Sequence, residues 1–117
     1  MTSNNKLGEG MKKDEGKLRI DLVPFELIEG VAKVMEFATE KYAPWDFAKG
    51  YNYSKAWSAV QRHLWAWWYR EENDPESGFS HLWHASAALA ILLFFEARQM
   101  THLDDRPTFD ERKKTDD

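Results

Sequence analysis

The sequence predicts an all-α protein: a helical hairpin with a third helix and an extended N-terminal arm, assembling into an oligomeric helical bundle. Three observations predict it. Apolar residues recur at spacings of three and four in three separate stretches. Pro, Gly, Asn and Asp cluster between those stretches and nowhere within them. The last stretch, from Leu82 to Phe95, is apolar on nearly every side, as a helix packed against several neighbours must be.

In chain order, Met1 to Glu15 carry Ser, Asn, Gly and Lys without periodicity and read as a disordered leader. Residues 16–103 form the single all-α domain, and 104–117 a polar C-terminal tail expected to be a loose end. From Lys17 to Leu22 polar and aliphatic residues alternate, which predicts an extended arm laying Leu18, Ile20 and Leu22 on the body. Pro24 suits a first helical turn, and Leu27, Val31, Val34, Met35, Ala38 and Tyr42 continue a helix from about Pro24 to Tyr42. Its other side, with Glu26, Glu29, Lys33, Glu36 and Glu40, reads as a solvated face. Ala43-Pro44 ends it, and an aromatic loop runs to Tyr53. Ser54 is a candidate cap for a second helix to about Glu71, burying Trp57, Val60, Leu64, Trp67 and Trp68 on one arc. Asn73-Asp74-Pro75 and Ser77-Gly78 break that helix, and Ser80 can cap the third.

The chain has 117 residues, enough for one domain, and its 43% hydrophobic and 31% charged composition is that of a folded globule. A net charge of -4 argues against a protein that coats nucleic acid. With no cysteine, disulfides, thiolate metal sites and Cys nucleophiles are excluded. No stretch is long and apolar enough for a bilayer span, so a soluble cytoplasmic protein is expected. Six tryptophans and an all-apolar third helix exceed what one hairpin covers, which predicts a homodimer or larger homo-oligomer.

The chemistry concentrates between Arg62 and His84. His63, Trp67 and Glu71 stand four apart on one line of the second helix, and Glu71 falls on its apolar arc. His81 and His84, three apart, can face one centre. Antiparallel packing brings Glu71, Asp74, Glu76, Ser77, His81 and His84 to one end of the hairpin. His63, about 12 Å up the second helix from Glu71, is expected to meet deeper residues of the third helix or a second subunit. Carboxylates with imidazoles suit a divalent ion such as Mg or Mn, so Glu71, Asp74, His81 and His84 are the expected metal ligands and Glu76 the general base. Lys41 on the inward side of the first helix, Lys17, Arg19 and Asp21 on the arm, and Arg62 suggest a phosphorylated ligand, on whose base Trp45, Tyr51 or Tyr53 could stack.

The succession Gly16-Lys17-Leu18-Arg19-Ile20-Asp21-Leu22, Lys41-Tyr42, Trp45, Lys49-Gly50, Arg62-His63, Glu71, Asp74-Pro75-Glu76-Ser77-Gly78 and His81-x-x-His84 resembles the small phage family described as the dATP/dGTP diphosphohydrolase N-terminal domain. Arg70 and Ala38 stand where that pattern leads one to expect glycine. The resemblance implies kinship with the all-α nucleoside triphosphate pyrophosphohydrolases of the MazG type, which cut between the α- and β-phosphates and release pyrophosphate. It therefore implies a purine deoxynucleoside triphosphate as substrate, in the host cytoplasm, and adds His63 with Glu71 to the catalytic set and Tyr42 and Ser77 to the substrate contacts. MazG-type metal sites use ExxE and ExxD pairs, for which the nearest matches are Glu26-x-x-Glu29 and Glu71-x-x-Asp74. The reading from another class is a protein that sequesters a nucleotide signal without cutting it.

Overall fold

In a computed structural model, residues 16–109 are described; the leader expected over residues 1–15 and the end of the tail, 110–117, lie outside them. Three helices carry the fold: α1 (Phe25–Ala38), α2 (Tyr53–Trp68) and α3 (His81–Ala97). Short 3₁₀ turns stand at Ile20–Leu22, Asp46–Lys49 and Thr101–Leu103, and no β-strand forms among the described residues. As the unbroken apolar run of α3 requires, α1 and α2 both pack on α3 rather than on each other. A groove therefore opens between α1 and α2, with α3 as its floor.

The core is small: Ala56 and Val60 of α2, Ala85, Ala87 and Phe95 of α3, and Leu103 beyond it. Alanines at the α2–α3 contact let the backbones approach closely. On the other flank of α3, Gly30 is buried in α1 against the Trp83 indole, where an added Cβ would run into the ring. Phe95 is fully buried between Tyr51, edge-on at 5.3 Å, and Tyr53, stacked at 6.3 Å.

Several boundaries differ from the expected ones for visible reasons. The first helix stops at Ala38, where Thr39 donates its hydroxyl to the Glu36 carbonyl at 2.6 Å and the following residues turn. Lys41 thus leaves the inward side of that helix and is exposed. The second helix stops at Trp68: Arg70 takes φ 79°, its N–H donates to Trp67 O, and Glu71 N–H donates to Ala66 O. Those two bonds are the Schellman closure, which favours glycine at the left-handed residue, and Arg70 bears that strain here. Ser54 is not the cap of α2, since Asn52 precedes the helix and Ser54 instead donates its backbone N–H and hydroxyl to the Asp105 carboxylate. The tail accordingly begins pinned to α2. Ser80 does cap α3, accepting from Leu82 N–H at 3.1 Å.

Two burial expectations are corrected as well. Val60 is buried, but Trp57, Leu64, Trp67 and Trp68 are exposed, because α3 covers only the Ala56–Val60–His63 side of α2. The arm is broken by its 3₁₀ turn and leaves Leu18, Ile20 and Leu22 exposed instead of laid on the body.

Candidate functional site

The loop from Glu71 to Ser80 folds back on itself and positions the site. Asp74 N–H donates to Phe79 O, Gly78 N–H donates to Asp74 O, and Asn73 bridges Ser80. Gly78 supplies the positive φ of 78° that this reversal needs. Inside the turn, Asp74 Oδ1 accepts from Glu76 N–H at 2.8 Å and Ser77 N–H at 3.1 Å, while Oδ2 lies 3.9 Å from His63 Nδ1.

Because the chain reverses just after α2, His63 needs no second subunit: its Nδ1 lies 2.8 Å from Nδ1 of His81. His81, buried at the start of α3, donates from Nε2 to Glu71 Oε1 at 2.9 Å. In the tautomer that keeps the His81 proton on Nε2 toward Glu71, His81 Nδ1 accepts from His63 Nδ1–H. Two bare nitrogens would repel at this distance; either a proton or a cation must lie between them. His84 stacks on His63 at 4.7 Å, and its Nε2 hydrogen-bonds the Ser77 hydroxyl at 2.7 Å.

The electrostatics favour neutral rings beside an ionised carboxylate. Burial, reinforced by His84 and His81, pushes His63 down to about 4. Burial also lowers His84. At Asp74 burial works against the charge, yet the N–H groups of Ser77 and Glu76 and the nearby imidazoles hold its carboxyl below the usual range. The lowered His63 and His84 leave each of those rings a lone pair at neutral pH, and a metal entering between His63 and His81 would displace the proton held there. One donor atom each from His63, Asp74 and His81 lies within 4.8 Å of the others, a set fitting a divalent ion. Two imidazoles with one carboxylate suit Mn better than Mg, which prefers oxygen.

The groove leads to this knot. A cavity of about 430 Å³ is lined by His63 and His84 at one end, by Lys55, Ser58 and Arg62 of α2 along one wall, and by Ala87, Ala88 and Ile91 of α3 beneath. It shares Met35, Ala38, Tyr51, Lys55 and Ile91 with a second cavity of about 790 Å³, whose walls include Tyr42, Trp45, Phe47 and Tyr51. Lys49 pairs with Asp46, Lys41 with Glu76, Arg19 with Asp21 and Arg106 with Asp104. Lys55 and Arg62 pair with no carboxylate among the described residues: Lys55 Nζ sits over the Tyr51 ring at 5.0 Å, and Arg62 donates to Ser58 Oγ at 3.0 Å.

Comparison with known proteins gives the family. Residues 8–106 match the family described as dATP/dGTP diphosphohydrolase, N-terminal. The chain belongs to this family. A dATP/dGTP diphosphohydrolase of Salmonella phage PMBT28 is 30% identical over 106 residues, which cover 89% of this chain and 33% of that protein. The chain thus spans about a third of the length of this curated relative. No solved structure matches it.

Within this family member, the expected site residues divide into two groups. Glu71, Asp74, Ser77, His81 and His84 do meet at the hairpin end, and His63 joins them. Tyr42, Trp45 and Arg62 line the groove. Glu76 and Lys41 instead pair with each other at 3.3 Å on the exposed rim. Lys17, Arg19 and Asp21 line neither cavity, and Arg19 and Asp21 are joined at 2.8 Å. The close metal-donor set includes His63, expected in a catalytic role, where Glu71 and His84 were expected as ligands; Glu71 and His84 contact its rings. Tyr53 packs on Phe95 in the core. Sequence reasoning missed Lys55, whose signal was its spacing of seven from Arg62 on one face of α2. Glu36, expected on a solvated face, is exposed as expected and also lines the larger cavity. No described helix is long and apolar enough to cross a membrane.

Proposed function

We propose that this chain hydrolyses a purine deoxynucleoside triphosphate between its α- and β-phosphates, releasing the monophosphate and pyrophosphate in a metal-dependent reaction. The observation that carries this reading is the continuity of the groove: aromatic walls at one end, carboxylate-free Lys55 and Arg62 between, and at the other His84 with His63, the member of the His63–Asp74–His81 set that lines the cavity. The base fits the aromatic end, where ring faces offer stacking. The α-phosphate passes Lys55 to reach His63, and the β- and γ-phosphates turn back onto Arg62; both cations neutralise charge that is not already answered by protein carboxylates. The relative's name, dATP/dGTP diphosphohydrolase, supports the same substrate class.

His63, Asp74 and His81 would hold the divalent ion, Mn or Mg. When bound, such an ion supplies Lewis acidity toward a phosphoryl oxygen and lowers the pKa of water. Water attacks the α-phosphorus, the bond from that phosphorus to the bridging oxygen breaks, and pyrophosphate leaves with the bonding pair. Glu71, in contact with His81, takes the water's proton in preference to Glu76, which Lys41 engages. Arg62 neutralises the leaving pyrophosphate. Ser77 orients the His84 ring, which in turn supports His63.

The test is to incubate the pure chain with a panel of nucleotides and Mn or Mg and separate the products. Monophosphate with equimolar pyrophosphate is expected from purine deoxynucleotides. Recovery of bound but intact nucleotide would overturn hydrolysis in favour of sequestration.

A further inference from the structure

The larger cavity has a polar group whose chemistry the hydrolytic reading leaves unused. Of the side chains on its wall, Thr39 donates its hydroxyl to the Glu36 carbonyl, and Asp46 is paired with Lys49 at 3.0 Å. The Glu36 carboxylate makes no hydrogen bond or ion pair among the described residues. It stands one helical turn before Thr39 at the end of α1, on the same cavity wall as Tyr42 and Trp45. An ionised carboxylate accepts hydrogen bonds at two oxygens and donates none. Among aromatic rings that hold a planar ligand by stacking, such a group selects for an edge with two adjacent donors.

We propose that Glu36 is a specificity-determining residue that selects guanine in the aromatic cavity. This rests on the reading of the groove as a nucleotide site. Guanine offers N1–H and the 2-amino group side by side, matching both carboxylate oxygens. Adenine offers a donor beside the bare N1, whose lone pair faces the carboxylate unfavourably. Cytosine has the same mismatch at N3, and thymine offers one N–H between two carbonyls. Hypoxanthine keeps N1–H and lacks the 2-amino donor, so it is the intermediate case. Charge-assisted pairing of this kind, with a mispaired edge leaving a polar group unanswered, is worth about tenfold or more in affinity.

The experiment is a titration of the full chain, in the presence of chelator, with dGMP, dIMP, dAMP and dCMP, read by calorimetry and by tryptophan fluorescence. Wild type is expected to bind dGMP most tightly, dIMP next, and dAMP and dCMP about tenfold or more weakly. Glu36→Gln should bring dGMP to the level of dAMP while leaving helicity unchanged, because Glu36 is exposed and outside the core. Trp45→Ala should weaken all purines alike. Equal binding of dGMP and dAMP by wild type, or an unchanged preference in Glu36→Gln, overturns the proposal, even if dGTP is hydrolysed. A Glu36-dependent preference for dGMP supports it even if no triphosphate is cut, in which case the hydrolytic reading alone fails.

Discussion

Nδ1 of His63 lies 2.8 Å from Nδ1 of His81, although the two residues stand 18 positions apart on different helices. The Schellman closure at Arg70 and the folded loop around Asp74 make that approach, and Glu71 secures His81 from its far side. The pair is the mechanical centre of the site, since a cation that replaces the shared proton gains two imidazole ligands beside an ionised Asp74.

Metal binding should therefore depend on these three residues. Calorimetric titration with Mn is expected to show one strong site per chain. His63→Ala and Asp74→Asn should each weaken it by about tenfold or more. Lys41→Ala, on the exposed rim, should leave it unchanged. Unaltered Mn affinity in both site variants would remove the metal from this knot.

Stability of the metal-free chain should fall in mild acid. The folded-state value for His63 lies near 4 against an ordinary 6.5, so between those values the unfolded chain binds a proton that the folded one refuses. Stability is complete above about pH 6.5 and declines as pH falls toward 4, by a few kcal/mol at most. Burial of the ring is the largest cause; among the groups facing it, His84 and His81 of α3 and Arg62 of α2 also oppose its charge, and Asp74 of the loop favours it. Urea denaturation with chelator at pH 7.5 and pH 5 measures this. His63→Gln is expected to flatten the dependence.

Gly30→Ala should destabilise the fold despite alanine's better helix propensity. The propensity gain is about 1 kcal/mol, whereas forcing a methyl into the Trp83 ring costs about 1 to 3 kcal/mol. A lower thermal midpoint is expected, with Trp83→Leu in the same chain relieving part of the loss. An equal or raised midpoint would mean that α1 and α3 separate easily.

How much of this was legible in the sequence follows from which interactions are local. Spacing of three and four gave the three helices, Ser80 announced its own cap, and the dense punctuation from Asn73 to Gly78 located the hairpin end. The meeting of His63 with His81 was not legible, because it depends on where α2 stops, and Arg70 hides that stop behind a residue with no left-handed preference. Lys55, and the place of the exposed Glu36 on a cavity wall, were likewise not foreseen: periodicity divides a helix into inner and outer faces, while a groove between two helices draws on residues at the border. The tryptophans of α2 were read as buried because they are apolar, yet only a neighbour can bury them, and among the described residues none covers Trp57, Trp65, Trp67 or Trp68.

That surplus bears on assembly. Trp57, Trp65 and Trp68 are 52%, 57% and 68% exposed, a density of apolar surface that further copies of the chain are proposed to cover. Sedimentation at micromolar concentration should give a mass at least twice the 13.8 kDa of one chain. A monomer that stays soluble would count against an oligomeric bundle.

The position of the bond that is cut can be read directly by hydrolysing dGTP with Mn in water enriched in heavy oxygen and weighing both products. Attack at the α-phosphorus should place the heavy oxygen in dGMP and leave pyrophosphate unlabelled, with the reaction slowed by roughly 100-fold in Asp74→Asn. Label in released pyrophosphate or orthophosphate, or dGTP recovered whole from the wild-type chain, would contradict a groove that delivers the α-phosphate to the His63–Asp74–His81 knot.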